Sequence, residues 1–273
     1  LRKECKSDLF GERNILLAGV YGAVEALFRH YVTEEDMDEE KAFRMSVENI
    51  TGPLRSVISK EGISGVYKLF STDQERAIFE RAYSSAYNHF RPLSEEIYDE
   101  VNSGNEIRSV VMTGKRLKDF GWTEIGNTRM WEVGAKVRAT RRTSQEKDGL
   151  SVDPTTAGIY CAMMMAQVDT LLLRGHCISE IVNESIIEAS DSLLPYMHFK
   201  GVGYMVDNCS ETARKGTRKW GPVFEYATRQ ALVTFRSDNP INKELINAFK
   251  NHIIHEAFVV CAEMRPPTNL FVD

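Results

Sequence analysis

The stretch Ile15-Leu-Leu-Ala-Gly-Val-Tyr-Gly-Ala-Val-Glu-Ala-Leu-Phe-Arg-His-Tyr31 decides the fold class. Ile15, Leu16, Val20, Val24, Leu27, Phe28 and Tyr31 recur at three- and four-residue steps, which lays an apolar stripe along one helix face. The same period returns along most of the chain, so the expectation is an all-α domain. Asp8 and Glu12 lie just N-terminal, in phase with this helix or in its first turn.

Working outward, a second helix is expected over 38–58, its acidic opening suited to the positive end of the helix dipole. Pro53 falls inside it and is expected to kink or break it. Thr72 or Asp73 caps a third helix carrying Glu75, Ala77, Ile78, Phe79 and Tyr83, which continues to about 102 and stops at Ser103-Gly104. The stretch 119–154 is rich in Gly, Thr, Arg and Lys and reads as a long connection. A strongly apolar helix then covers 156–173 and ends at Gly175, with others expected at 178–194, 196–207, 221–235 and 241–263. The best strand candidate, 108–112, is weak.

The chain has 273 residues, one large domain or two small ones at roughly 150 per domain. A formal net charge of −5 argues against nucleic acid as the main partner. Five cysteines, odd in number and without a C-x-x-C pair, read as reduced thiols rather than a disulfide frame. The longest apolar runs, 15–20 and 161–166, are too short for a membrane span. Leu1 opens a charged segment with no initiating Met, signal peptide or transit peptide, and the expectation is a piece of a longer protein.

A coarse repeat divides the chain into 1–118 and 150–273. Ala18-Gly19-Val20-Tyr21-Gly22-Ala23 matches Ala157-Gly158-Ile159-Tyr160-Cys161-Ala162, and Gly62 stands nine residues before Ser71 as Gly201 does before Ser210. Chance likeness between helical stretches is the alternative. If the repeat is real, the halves form one pseudo-dimeric domain.

Two carboxylate pairs stand out. Asp8 and Glu12, like Glu184 and Glu188, are four residues apart and share a helix face, with Glu180 one further turn back. Each pair alone reads better as a solvated face than as a ligand set. Brought together indoors, the pairs would repel by several kcal/mol each at an effective dielectric of about 20, and a divalent cation would reverse the sign. An all-oxygen set suits Mg²⁺ or Mn²⁺. The halves differ in a complementary way. Glu48 in the first is followed by Gly52 where the second has Glu184 and Glu188, and the second lacks a pair before Ala157. One composite site across a pseudo-twofold axis would leave that pattern. His252-x-x-His255 lacks the acidic partners of a zinc protease and is expected to be structural.

Several segments, in order along nearly the whole chain, resemble the plant-type, long-chain ketol-acid reductoisomerases. They are Lys6-Ser-Asp-Leu-Phe-Gly-Glu-Arg13, Glu106-Ile-Arg-Ser-Val-Val111, Thr128-Arg-Met-Trp131, Ser179-Glu-Ile-Val-Asn-Glu-Ser-Ile-Ile-Glu188, Met205-Val-Asp-Asn-Cys-Ser210 and Arg218-Lys-Trp220. The resemblance implies a duplicated, knotted helical C-terminal domain. It implies a Mg²⁺-dependent alkyl shift in 2-acetolactate or 2-aceto-2-hydroxybutyrate, both 2-hydroxy-3-keto acids. Reduction by NADPH to a 2,3-dihydroxy acid follows, in branched-chain amino-acid synthesis. Asp8 would bridge two Mg²⁺ ions, Glu12 would hold one and assist proton transfer, and Glu184 would hold the second. Glu188, of the same metal-binding set, and Ser210 would bind substrate oxygens, while Leu16, Leu17 and Leu193 would wall the migrating alkyl group. The resemblance also implies a homodimer, a plastid location and no membrane.

Two departures accompany it. The family's N-terminal Rossmann domain, which binds NADPH and carries a histidine, is not found in these residues, so this chain alone is expected to be inactive. Glu211 stands where relatives carry a small hydroxyl residue, adding charge beside Ser210. The rival functional class is a non-catalytic helical module of the same origin, retained for oligomerisation. That reading gives no reason for four carboxylates at these spacings. A di-iron helical bundle would show Glu-x-x-His pairs, and none is present.

Overall fold

The computed structural model describes residues 3–120, 127–140, 149–237 and 241–265, and these residues contain helices and no strand. The chain opens with α1 (Lys3–Arg13), a π-helical segment Ile15–Gly19 and α2 (Val20–Thr33). The break at Asn14 lies in the core, where bare backbone groups are costly. Side chains meet that cost: Gln167 Oε1 accepts the Ile15 amide at 3.1 Å, and Asn14 Nδ2 donates to Ser94 Oγ at 2.7 Å.

Next come α3 (Glu39–Phe43), π-helical segments Arg44–Glu48 and Ile50–Leu54, and α4 (Arg55–Leu69). Asp38 caps α3 by accepting from the Glu40 and Lys41 amides. Thr72, not Asp73, caps α5 (Asp73–Ser103), in a reciprocal box with Glu75, and Gly104 ends it in the left-handed region at φ 78°. After α6 (Asn105–Phe120) and α7 (Arg129–Ala139) comes α8 (Pro154–Leu173), started by Asp153 at the cap and Pro154 inside the first turn. The second half continues with α9 (Ile178–Ile181), a π-helical segment Val182–Leu193, α10 (Leu194–Lys200) and α11 (Val202–Asp207). It closes with α12 (Glu211–Arg236), α13 (Lys243–Lys250) and α14 (Ile254–Met264).

The packing crosses between the halves: α8 lies along α5, and α2 lies along α12, which also meets α5 and α6. A Cβ on Gly22 would sit 2.1 Å from the Gly221 carbonyl oxygen, so α2 and α12 touch backbone to backbone. Fifteen of the twenty residues of α8 are buried, including Tyr160, Met163 and Met164. By length and apolarity alone, 154–173 and 5–33 would pass for membrane spans, but the protein buries 83% and 89% of their apolar windows in its own core. A helix apolar all round is a core helix in this setting.

Several expectations need correction. The 108–112 strand is part of α6, because Glu106 and Val110, four apart, are the residues it buries. The 119–154 connection contains α7, whose Met130, Val133, Gly134 and Val137 form a buried stripe at helical spacing facing α3. Pro53 does not break its helix. It lies in a π-helical turn that runs on into α4, and the real kink comes at Gly62, with φ 71°. Gly201, its counterpart in the repeat, divides the expected 196–207 helix in the same way, at φ 106°. The helix expected at 221–235 starts ten residues earlier, at Glu211, where Ser210 supplies the cap. The one expected at 241–263 is broken between Lys250 and Ile254. There the His252 ring accepts the Ile254 amide at 3.1 Å and lies 3.0 Å from Asp169, and the His255 ring contacts the Phe249 carbonyl at 2.7 Å. Both histidines therefore have structural partners.

Candidate metal centre

The acidic residues converge where α1 meets the π-helical segment Val182–Leu193. Asp8, Glu184 and Glu188 each bring a carboxylate oxygen to within 4.8 Å of the others, Asp8 exposed and the two glutamates half-buried. Glu184 and Glu188 belong to a run of i→i+5 hydrogen bonding, a rare geometry that recurs at functional sites. Glu188 carries the electrostatic consequence. Burial, then the adjacent Glu184 carboxylate and a hydrogen bond shared with it, then Asp8 and Glu12, push its carboxyl up to about 8. All of these act in one direction, so the metal-free site keeps a proton at a pH where an ordinary carboxyl has lost it. A divalent cation would relieve the same repulsion, and an oxygen-only donor set of this size fits Mg²⁺.

Glu12 stands apart from the trio. It lies one turn beyond Asp8, and its carboxylate is turned onto the guanidinium of Arg13. Burial raises the Glu12 carboxyl, Arg13 opposes that, and Asp8 adds to it. The four acids thus form one electrostatic group in which three converge and the fourth is held back. Arg13 itself is fully buried. Its Nε donates to Glu106 Oε1 at 3.0 Å, and Trp220 Nε1 approaches the same oxygen at 3.4 Å. Sequence reasoning gave neither Arg13 nor Glu106 a role. The one available hint was a charged residue leading directly into the apolar run at Ile15.

Ser210 lies at the cap of α12, where its Oγ accepts the Ala213 amide at 3.1 Å and sits 3.0 Å from Thr212 Oγ1. The neighbouring Cys209 thiol is raised by burial and then by Glu12 and Glu188, which places this turn beside the acids. Glu211 points its charge elsewhere: it accepts from Lys215 Nζ at 2.6 Å, and that hydrogen bond holds its carboxyl low. Leu16 and Leu17 are 1% exposed in the segment Ile15–Gly19, and Leu193, 9% exposed, ends the segment that carries Glu184 and Glu188. These two π-helical segments are in contact. Glu180, which the sequence aligns with Glu184 and Glu188, turns away from them to Ser7 and His176.

Comparison with known proteins bears on what this centre serves. The family model described as the ketol-acid reductoisomerase C-terminal domain matches residues 1–143. The chain is 48% identical over 279 residues to the chloroplastic ketol-acid reductoisomerase of Pisum sativum and 47% identical to that of Spinacia oleracea. Those matches take in 100% of this chain and 47% and 46% of the relatives, so the chain spans about half their length. The mitochondrial ketol-acid reductoisomerase of Saccharomyces cerevisiae is 38% identical over 94 residues, 34% of this chain and 21% of that protein.

Proposed function

The chain belongs to the ketol-acid reductoisomerase family, and from that premise we propose that it supplies the metal and substrate site for conversion of 2-acetolactate or 2-aceto-2-hydroxybutyrate to 2,3-dihydroxy acids. The observation that carries this reading is the convergence of Asp8, Glu184 and Glu188 from two distant segments. Asp8, Glu184 and Glu188 would hold the Mg²⁺ ions, and Glu12 would join them once released from Arg13. When bound, the ions polarise the adjacent carbonyl and hydroxyl of the substrate and make the tertiary alcohol acidic enough for the alkyl shift.

The remaining work falls to this chain's own groups. Glu188 would bind a substrate oxygen, its carboxylate accepting from the substrate hydroxyl once Mg²⁺ has displaced the proton that burial and Glu184 hold on it in the metal-free site. The Ser210 hydroxyl and the α12 amides beside it suit the substrate's carboxylate, since a helix N-terminus favours an anion. Leu16, Leu17 and Leu193 offer the migrating alkyl group an apolar wall that excludes water. Reduction by NADPH we assign to a dinucleotide-binding domain acting together with these residues, because the described residues contain no strand on which to build one.

The two repeat halves then form one composite site. In the first half, Glu48 is buried against Arg44, and the space over Gly52 is taken by the His198 ring, 3.1 Å from where a Cβ would stand. That arrangement is what a second, filled-in site would leave. The same reading gives a homodimer, and a plastid location because the pea and spinach relatives are both named chloroplastic.

The test is loss of NADPH absorbance with 2-acetolactate and Mg²⁺, using the chain joined to the N-terminal half of the pea relative. Glu188→Gln should abolish turnover and leave NADPH affinity unchanged. Ser210→Ala should lose about 1.5–3 kcal/mol of substrate binding. Full activity in Glu188→Gln would sink the assignment.

A further inference from the structure

Ser7 and Asp8 are consecutive residues of α1, and the structure sends them to successive turns of one helical run. Asp8 meets Glu184 and Glu188. Ser7, completely buried, donates its hydroxyl to Glu180 Oε1, one turn earlier. That same oxygen lies 2.9 Å from His176 Nδ1, and His176 Nε2 lies 2.7 Å from the Tyr98 hydroxyl of α5. With its proton on Nδ1, the imidazole donates to Glu180 and accepts from Tyr98, so both contacts are satisfied. Tyr98 returns to α1 through an edge-on contact with Phe10, ring centroids 5.4 Å apart, and the Arg174 guanidinium lies over the Tyr98 ring at 5.3 Å. The circuit closes: α1 to Glu180, to His176, to Tyr98, and back to α1.

We propose that Glu180 is a positioning residue of the metal centre, gripping Ser7 so that α1 presents Asp8 to Glu184 and Glu188. The inference rests on the metal reading given above. Like charges at the centre push α1 and the segment Val182–Leu193 apart before a cation arrives, and among the described residues Asp8 is the carboxylate that α1 brings into the cluster. A bond from the buried hydroxyl next to that carboxylate fixes both the rotation and the height of the helix. His176 and Tyr98 in turn fix the rotamer of Glu180. Ligating carboxylates depend on such outer partners, whose loss typically weakens metal binding about 10–100-fold.

The test is calorimetric titration of the 273-residue chain with Mg²⁺ alone, with circular dichroism and a metal-free melt for each variant. Ser7→Ala and Glu180→Ala should bind Mg²⁺ about 10–100-fold more weakly while keeping the wild-type helical spectrum. Glu180→Gln, whose amide oxygen still accepts from Ser7, should restore most of the affinity. Three results would overturn the proposal. Wild-type affinity in both Ser7→Ala and Glu180→Ala would show that the grip is not felt at the centre. Glu180→Gln as impaired as Glu180→Ala would mean that Glu180 acts by its charge, as a ligand. A wild-type chain that takes up no Mg²⁺ would remove the metal reading itself, an outcome distinct from the other two.

Discussion

Arg13 reaches Glu106 through a 3.0 Å contact in which neither side chain has any exposure to solvent. The pair ties α1 to α6 directly behind Glu12, which leans on the same guanidinium. Removing one member leaves an uncompensated charge in the core, which costs about 3–5 kcal/mol. Arg13→Met and Glu106→Leu should each lose that much in urea unfolding, and the double variant should recover a large part of it. A loss of under about 1 kcal/mol in both singles would show that the pair is not a structural tie.

The crossed packing of α2 on α12 and of α5 on α8 means that each half buries its apolar helix against the other half. Segments 1–118 and 150–273, expressed separately, should therefore give no cooperative thermal melt by circular dichroism, and mixing them should restore one. Independent cooperative melting of both would refute the interlocked arrangement.

Gly22→Ala tests the closest point of that packing. A Cβ there would lie 2.1 Å from the Gly221 carbonyl oxygen and 2.6 Å from the Glu225 amide, both backbone atoms that cannot swing aside. The helices must separate, and the expected loss is about 1–3 kcal/mol or more. An unchanged unfolding midpoint would contradict the close approach.

How far the sequence discloses all this depends on the range of the interactions. The all-α class was legible because stripes such as Ile15 to Tyr31 are long and regular. Helix α7 was missed because its buried stripe is short, includes a glycine and is set among Arg and Lys, so composition outweighed period. The stretch 108–112, a weak strand candidate by sequence, is part of α6, which packs on α12. Asp8, Glu184 and Glu188 could be read from four-residue spacing and family resemblance. The separate setting of Glu12 could not, because Glu106, which anchors Arg13, lies 93 residues away. Nor could the π-helical geometry under Glu184 and Glu188, which depends on packing rather than local composition.

The raised Glu188 carboxyl gives the centre a pH signature. Its ordinary value is 4.5 and its folded value about 8. Between the two, the folded chain keeps a proton that the unfolded chain has lost, so this group's contribution to metal-free stability falls as pH rises through that window and levels off above it. Mg²⁺ competes with that proton, so the stabilisation it gives should grow with pH over the same window. Melting curves from about pH 5 to about pH 9, with and without Mg²⁺, measure both trends. A Mg²⁺ effect that is flat across the range would contradict the assignment of Glu188 to the centre.

The central claim is that Asp8 joins Glu184 and Glu188 around a divalent cation, and calorimetric melting of the wild-type chain and Asp8→Asn under increasing Mg²⁺ tests it most directly. The substitution keeps size and hydrogen-bonding capacity and removes one charge from a site built on charge. Wild type should gain about 2.7 kcal/mol when Mg²⁺ reaches a hundred times its Kd, and Asp8→Asn should gain almost nothing at the same concentration. Equal gains in the two proteins would contradict the claim.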